Sequence, residues 1–162
     1  MRQSAAEFAH DNLSSLFRFA LALCGSAADA EDLVSEAMTR ALPHWDQIEI
    51  SPKAYMRRTM INIRLNEQRR RASERPSTDP SPSVDFEETL IERVRLAHML
   101  ALLDPVDRTI LVLRFLEDMP TRSVAEVLMC SMPTVRRLTR RALATARAAE
   151  RSLMTIDRKS AE

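Results

Sequence analysis

Glycine and aromatic residues are both scarce in this sequence. It has one glycine in 162 residues, and Phe, Trp and Tyr together make up 4%. β-Sandwiches, barrels and Gly-rich nucleotide folds need glycine for tight turns and for close approach to phosphates. Ala, Leu, Arg and Glu are abundant instead, and all four favour helices. The composition therefore predicts an all-α protein.

Cysteine is scarce as well, with only Cys24 and Cys130, far apart in the chain. Neither has a second cysteine or a histidine at zinc-ligand spacing, so we expect reduced thiols and no metal site. His10, His44 and His98 are scattered, without a nucleophile or a Gly-rich loop beside them. This pattern argues against an enzyme and against a cofactor.

Long hydrophobic runs are absent, since none approaches the roughly 20 residues of a membrane span. The apolar stretch 16–24 is interrupted by Arg18 and preceded by Glu7 and Asp11, unlike a secretion signal. We interpret it as part of a buried helix in a cytoplasmic protein without membrane insertion.

Charge is present in blocks that the net value of +1 conceals. Residues 29–49 hold six acids and one base, and residues 53–75 hold eight bases and two acids. Residues 76–92 carry five acids and no base, and residues 131–151 carry six arginines and one acid. Two basic blocks separated by an acidic spacer suggest two phosphate-binding surfaces, although a single block is often just a solvated helix face.

Proline and serine mark a boundary at residues 73–83, which contain three prolines, four serines and no aliphatic side chain. Such a segment favours an extended linker over a helix. We therefore predict two small helical domains, 1–73 and 89–151, joined by a Pro/Ser-rich acidic linker at 74–88. A tail at 152–162 follows.

Helix patterns in the first half predict segments from about Ala5 to Leu23, Ala28 to Ala41 and Pro52 to Arg71. Gly25 stands where the first helix should end in a left-handed residue. A loop carrying Trp45 joins the second and third helices.

The second half predicts helices at Phe86–Leu103, Val106–Phe115, Thr121–Leu128 and Met132 to about Ala149. A short helix, a tight turn and a longer arginine-bearing helix are typical of a helix-turn-helix. A plain helical hairpin would give a similar pattern, so both interpretations stay open here.

Read in order, these segments resemble a bacterial RNA polymerase sigma factor of the extracytoplasmic-function group in the sigma-70 family. This compact group keeps only the second and fourth conserved regions. The resemblance spans about residues 12–148. The motifs that carry it lie at 29–37 with Trp45, 54–71, 103–108, 111–118, 125–128 and 130–136.

The resemblance implies an alternative sigma factor that binds core RNA polymerase and directs promoter-specific transcription initiation. Its acidic second helix would dock on the β′ clamp helices, where complementary charge orients the complex, and the β flap would be a further contact. The residues implied at the β′ surface are Asp29, Glu31, Asp32, Glu36 and Arg40.

The resemblance also implies that the following loop and third helix melt and hold the minus-ten promoter element. The residues implied are Trp45, Lys53, Tyr55, Arg57, Arg58, Asn62, Arg69, Arg70 and Arg71. For Trp45 and Tyr55, core packing is an equal alternative to contact with an extruded base.

The helix-turn-helix would read the minus-thirty-five element as duplex. The residues implied are Ser131, Thr134, Arg136, Arg137, Arg140 and Arg141. Among these we expect Arg136 to read a base and Arg140 and Arg141 to contact phosphates.

Some positions depart from the family pattern. Ser35 and Leu138 replace a usual Gln and Arg, and Pro120 replaces the usual serine cap of the short helix. Met129 stands where a glycine commonly begins the turn, so we expect strain of about 1 kcal/mol or a differently built turn.

Two further hypotheses remain at this point. A stand-alone helix-turn-helix regulator would share only the second half of the pattern, and an anti-sigma partner is compatible with the sequence but not required by it. The resemblance implies that the linker follows the transcript path of the polymerase. The acidic segment 76–92 would repel nucleic acid, so we predict that it mimics RNA on this path, with a passive solvated tether as the alternative.

Overall fold

The computed structural model describes residues 3–49, 51–73, 96 and 98–160. These residues are almost entirely helical and contain no strand, which confirms the all-α class. The chain divides into two compact units, Met1–Asp79 and Pro80–Glu162. The linker predicted at 74–88 and most of the helix predicted at Phe86–Leu103 lie outside the described residues.

The first helix, α1 (Ala5–Cys24), has well-defined stops at both ends. Ser4 and Glu7 form a capping box: the Ser4 N–H donates to Glu7 Oε2 at 2.9 Å, and the Glu7 N–H donates to Ser4 Oγ at 3.2 Å. The hydrogen bond from the Ser4 backbone lowers the pKa of the Glu7 carboxyl. Gly25 ends the helix with φ of 79°, as predicted.

The N-terminal unit is completed by α2 (Ala27–Ala41), a short 3₁₀ helix (Leu42–Gln47) and α3 (Pro52–Ser73). α1, α2 and α3 pack against one another around a closed apolar core. Its largest fully buried side chains are Leu16, Leu23, Met56, Met60 and Ile63. Four acids of the acidic block lie on α2, and most of the basic block lies on α3.

The C-terminal unit contains α4 (Pro105–Leu111), a π-helical turn (Val112–Leu116), α5 (Thr121–Leu128) and α6 (Met132–Ser160). α6 packs against both α4 and α5. Fully buried Ile110, Leu113, Val124 and Val135 fill the space between them. In the part of the chain that the structure describes, no helix is long and apolar enough to cross a membrane.

Two elements differ from the sequence prediction. The helix predicted at Val106–Phe115 changes from α to π at Val112, where the Glu117 N–H reaches back to the Val112 carbonyl at 3.0 Å. The last helix continues to Ser160 rather than ending near Ala149, because residues 149–160 contain no helix-breaking glycine or proline.

The turn between α5 and α6 has the helix-turn-helix geometry despite its missing glycine. Met129 adopts left-handed angles of φ 51° and ψ 47°. The Met129 N–H donates to the Glu126 carbonyl at 3.3 Å, and the Cys130 N–H donates to the Ala125 carbonyl at 3.0 Å. This is a Schellman motif, so the expectation of a differently built turn is wrong and methionine takes the glycine position.

Replacing Met129 by glycine should therefore stabilise the C-terminal unit. A left-handed non-glycine residue is strained, and the Met129 side chain is 72% exposed, so little packing is lost. We expect Met129→Gly to raise the free energy of unfolding by about 0.5–1 kcal/mol in denaturant titrations.

Ala144→Gly is the matched control, since Ala144 is exposed within α6 and has helical angles. It should lower the free energy of unfolding by about 1 kcal/mol. A loss of stability in both variants would contradict the strain at Met129.

Candidate functional surfaces

The acidic residues of α2 do not form one continuous surface. Helical geometry puts Asp32 opposite the buried side of α2 and puts Asp29 and Glu36 together on one flank. Glu31 lies on the other flank, toward α1. The buried side is formed by Ala30, Leu33, Val34, Ala37 and Ala41.

Glu36 and Arg40 pair with each other one turn apart. The Arg40 Nη2 atom donates to Glu36 Oε1, and both side chains are about half exposed. A surface pair of this kind contributes about 0.3–0.5 kcal/mol. Glu36 and Arg40 thus partly neutralise each other, so the acidic character of this flank comes mainly from Asp29, with Asp32 on the adjoining outward face.

A shallow apolar groove of about 500 Å³ runs between α1 and α2. Glu31 and Ser35 line its polar edge. The remaining lining residues are Leu13, Ser14, Phe17, Val34 and Met38. Glu31 therefore belongs to this groove rather than to the flank that holds Asp29 and Glu36.

Trp45 belongs to the core of the N-terminal unit. Its side chain is 9% exposed, its ring centroid lies 5.1 Å from that of Phe8, and its Nε1–H donates to the Gln3 carbonyl at 3.0 Å. Of the two readings left open by the sequence, this geometry corresponds to core packing. Trp45 fastens the 3₁₀ helix to the start of α1.

The basic residues of α3 face in different directions. Arg58, Asn62 and Arg69 share one exposed face of α3, because Asn62 and Arg69 follow Arg58 by four and eleven residues. Arg57 turns toward α1, where its Cζ lies 5.4 Å from the centroid of the Phe19 ring. Lys53 is half-buried on another side of the helix.

The remaining α3 candidates lie at its two ends. Tyr55 is half-buried in the first turns, and its N–H donates to the Ser51 carbonyl at 3.0 Å. Arg70 and Arg71 are exposed in the last turn, where positive charge also complements the helix dipole. The structure thus brings Arg58, Asn62 and Arg69 together and separates Arg57 and Lys53 from them.

The start of α6 is held by Ser131 and Thr134. Ser131 Oγ accepts from the Thr134 N–H at 3.3 Å and lies 2.9 Å from Thr134 Oγ1. These contacts cap the helix and satisfy a donor that would otherwise be left open. Both hydroxyl groups therefore lie at the N-terminal end of α6.

The arginines of α6 also face in different directions. Arg137 and Arg140 are exposed on the side opposite Val135, Ala142 and Ala146, which are buried. Arg136 is exposed closer to the edge of this face, and Arg141 lies at its opposite edge.

Arg141 is engaged within the protein. Its Nε and Nη2 atoms donate to Asp107 Oδ1 at 2.8 and 2.6 Å, and Nη2 lies 3.7 Å from Asp104 Oδ2. The Asp107 side chain is 2% exposed and that of Arg141 is 48% exposed. The hydrogen bonds to Asp107 raise the pKa of the Arg141 guanidinium.

Sequence reasoning missed two buried arginines. Arg64, counted in the basic block, is buried and pairs with Glu67 at 3.1 Å. Arg108 is buried and donates to the carbonyls of Leu100, Ala101 and Leu103 at 2.7–3.1 Å. The 3.6-residue period of α3 could have indicated the burial of Arg64, whereas Arg108 stands between the polar residues Asp107 and Thr109, which give no such signal.

Metal-ligating residues form no cluster among the residues with described positions: no group of three His, Cys, Asp or Glu side chains could hold an ion. Cys24 is buried and Cys130 is half-buried.

Two protein-family models match the chain. The model described as Sigma-70 region 2 matches residues 8–74, and the model described as Sigma-70, region 4 matches residues 93–145. The first match contains most of α1 together with α2 and α3, and the second contains α4, α5 and about the first half of α6.

Known proteins show the same similarity over most of the chain. The RNA polymerase sigma-E factor of Streptomyces coelicolor is 36% identical over 146 residues, covering 87% of this chain and 82% of that protein. The factor of the same name from Streptomyces avermitilis is 35% identical over the same shares. The sigma factor RpoE of Bartonella quintana, solved in complex with the anti-sigma factor NepR, has a similar fold at 18% identity. Its TM-score is 0.57, covering 88% of this chain and 96% of that one.

Trp45 provides a test of the N-terminal core. Trp45→Ala should lower the free energy of unfolding by about 3–5 kcal/mol, because it removes a large buried ring. Trp45→Phe keeps an aromatic ring against Phe8 and loses the hydrogen bond to Gln3, so it should lose about 0.5–1.5 kcal/mol from that bond. Denaturant titration without DNA measures both, and wild-type stability in Trp45→Ala would contradict the anchoring role.

Proposed function

We propose a division of labour between the two units of this chain, which belongs to the sigma-70 family and is an alternative sigma factor of the extracytoplasmic-function group. The N-terminal unit binds core polymerase and holds the opened minus-ten element, and the C-terminal unit binds the minus-thirty-five duplex. The observation that supports this division is the pair of exposed arginine faces, one on each unit. The match to region 2 over residues 8–74 makes the stand-alone regulator hypothesis wrong.

The polymerase-facing surface in this proposal is the flank of α2 with Asp29 and Glu36, together with the adjoining Asp32. Complementary charge would steer this flank to a basic surface of the β′ clamp helices and fix its orientation. Arg40 adds to the contact by orienting Glu36, and Glu31 contributes through the groove beside α1.

Charge reversal at Asp32 tests this surface. Asp32 is exposed and points directly away from the core, so Asp32→Lys should leave the fold intact. We expect it to weaken co-purification with core polymerase, most clearly at low salt, where surface charge is least screened.

Asp11→Lys is the matched control, because Asp11 is exposed on α1 and the substitution changes the net charge equally. Equal retention of core polymerase by the Asp32 and Asp11 variants would contradict the assignment of the α2 flank.

The single-stranded DNA surface in this proposal is the α3 face of Arg58, Asn62 and Arg69, continued by Arg70 and Arg71. A row of arginines can track a phosphate backbone while unstacked bases find neighbouring planar or polar groups. Tyr55 stands near the start of this path, whereas Lys53 lies on another side of α3. Arg57 supports it indirectly by packing on Phe19.

Arg58 and Arg57 should therefore respond differently to alanine. Arg58→Ala should reduce permanganate reactivity of unpaired promoter thymines while leaving thermal stability unchanged, because Arg58 is exposed. Arg57→Ala should lower the free energy of unfolding by about 1 kcal/mol through the lost cation–π contact.

Arg18→Ala controls for the loss of one positive charge, since Arg18 is exposed on α1. Normal strand opening by the Arg58 variant, or equal losses in the Arg58 and Arg18 variants, would contradict the α3 surface.

The duplex surface in this proposal is the exposed face of α6. Arg136 and Arg137 lie in its first two turns, the part of a recognition helix that reaches base edges. Arg140 follows one turn later as a phosphate contact, and Ser131 and Thr134 approach the backbone from the helix end. The chain acts in the cytoplasm, where the polymerase works.

Protein partners of the C-terminal unit would meet an apolar surface. Phe115 is 55% exposed and Leu116 is 43% exposed at the π-helical turn. We assign this pair to the β flap, because large exposed side chains of this kind are typical of protein contacts. Control by an anti-sigma factor, as in the Bartonella complex, is a further element of the proposal.

A further inference from the structure

We propose that Asp107 and Arg141 set the rotation of the recognition helix, and that Arg141 is a positioning residue rather than a DNA contact. The inference rests on the proposed DNA-binding role of α6. It concerns an ion pair between residues 34 positions apart that joins the first turn of α4 to the middle of α6.

The packing of α6 leaves its rotation weakly defined. Past Val135, the buried side chains of α6 are the small Ala142 and Ala146, flanked by half-buried Leu138 and Leu143. Alanine side chains form shallow ridges, so they interdigitate little with a neighbouring helix and resist sliding or rotation poorly. A directional contact is needed to fix which residues face outward.

The ion pair supplies that direction. Two N–H groups of Arg141 converge on a single oxygen of Asp107 at 2.8 and 2.6 Å, and such charge-assisted hydrogen bonds are short, strong and sensitive to angle. Asp107 is itself immobile, because its side chain is buried and its N–H donates to Asp104 Oδ1 at 2.9 Å. The contact therefore ties α6 to a fixed point on α4.

The position of Arg141 on α6 determines which other arginines would move if this ion pair were lost. Arg137 and Arg140 lie four residues and one residue before it on the same helix, so a rotation of α6 would move both relative to the groove. A bidentate arginine–guanine contact depends on placement of this kind. Loss of the tie should reduce selectivity between sequences more than overall affinity for DNA.

The negative charge of Asp107 makes the positioning role and simple electrostatics predict opposite effects on selective binding. Asp107 is an acid on a unit that binds DNA, so simple electrostatics predicts that its removal strengthens binding to any sequence. If Arg141 contacted phosphate, releasing it from Asp107 would also strengthen binding. The positioning role predicts the opposite for selective binding.

The experiment uses the full chain with core polymerase and a library of duplex promoter fragments randomised over the upstream element. Bound fragments are sequenced at several salt concentrations. We compare Asp107→Asn, Arg141→Gln and Arg141→Lys with Arg147→Lys, a control at an exposed arginine of the same helix.

All three pair variants should lower the preference for the best sequence over random sequence by about tenfold, the effect of losing one bidentate base contact. Arg147→Lys should keep the preference, and Arg141→Gln should keep the wild-type salt dependence. The Arg141 side chain is half-exposed, and Arg141→Lys retains its charge. This variant therefore tests the inference even if Asp107→Asn fails to fold.

Wild-type preference in Arg141→Lys would overturn the inference. So would a salt dependence for Arg141→Gln that is lower by about one phosphate contact with a uniform loss of affinity. If the wild-type holoenzyme enriched no sequence at all, the proposed duplex-binding role of α6 would fail instead, so the two failures are distinguishable.

Discussion

A buried aspartate and a buried arginine stand next to each other in the first turns of α4, and the C-terminal unit depends on both. Arg108 donates to three carbonyl groups at the end of the preceding helical segment, while Asp107 accepts two hydrogen bonds from Arg141 in α6. Asp107 is the buried member of its ion pair, so losing Arg141 would leave a buried carboxylate without its cation, which costs stability. α4 is therefore the element to which the segments before and after it are attached.

The N-terminal unit is also held together by side chains that lie in loop or charged segments. Trp45 fastens the loop after α2 to the first residues of the chain, and Arg57 packs on Phe19 across α1 and α3. In both units, some residues of the charged and loop segments stabilise the fold, while adjacent residues of the same segments are exposed. The count of arginines in a block thus overstates the surface available to DNA.

Local patterns were sufficient for most of the helices. Gly25 marks the end of α1 through capping that acts within four residues, so the sequence predicts this boundary well. The family resemblance supplied the order of the functional segments, and the family models confirm it.

Local sequence patterns could not predict contacts between residues that are far apart in the chain. Periodicity places Arg141 on an exposed side of a helix, but its partner Asp107 lies 34 residues earlier and on another element. Trp45 could be assigned to core or to DNA with equal reason until its contact with Gln3, 42 residues away, was known. The left-handed Met129 shows, conversely, that a turn can keep its geometry when its usual residue is absent.

The division of labour between the two arginine faces is tested most directly by transcription from a promoter whose minus-ten element is already unpaired by mismatches. A single-stranded template removes the need to open the duplex. The account predicts that this template restores transcription by Arg58→Ala holoenzyme and leaves Arg137→Ala as defective as on the paired promoter. Equal rescue of both variants, or rescue of neither, would contradict it.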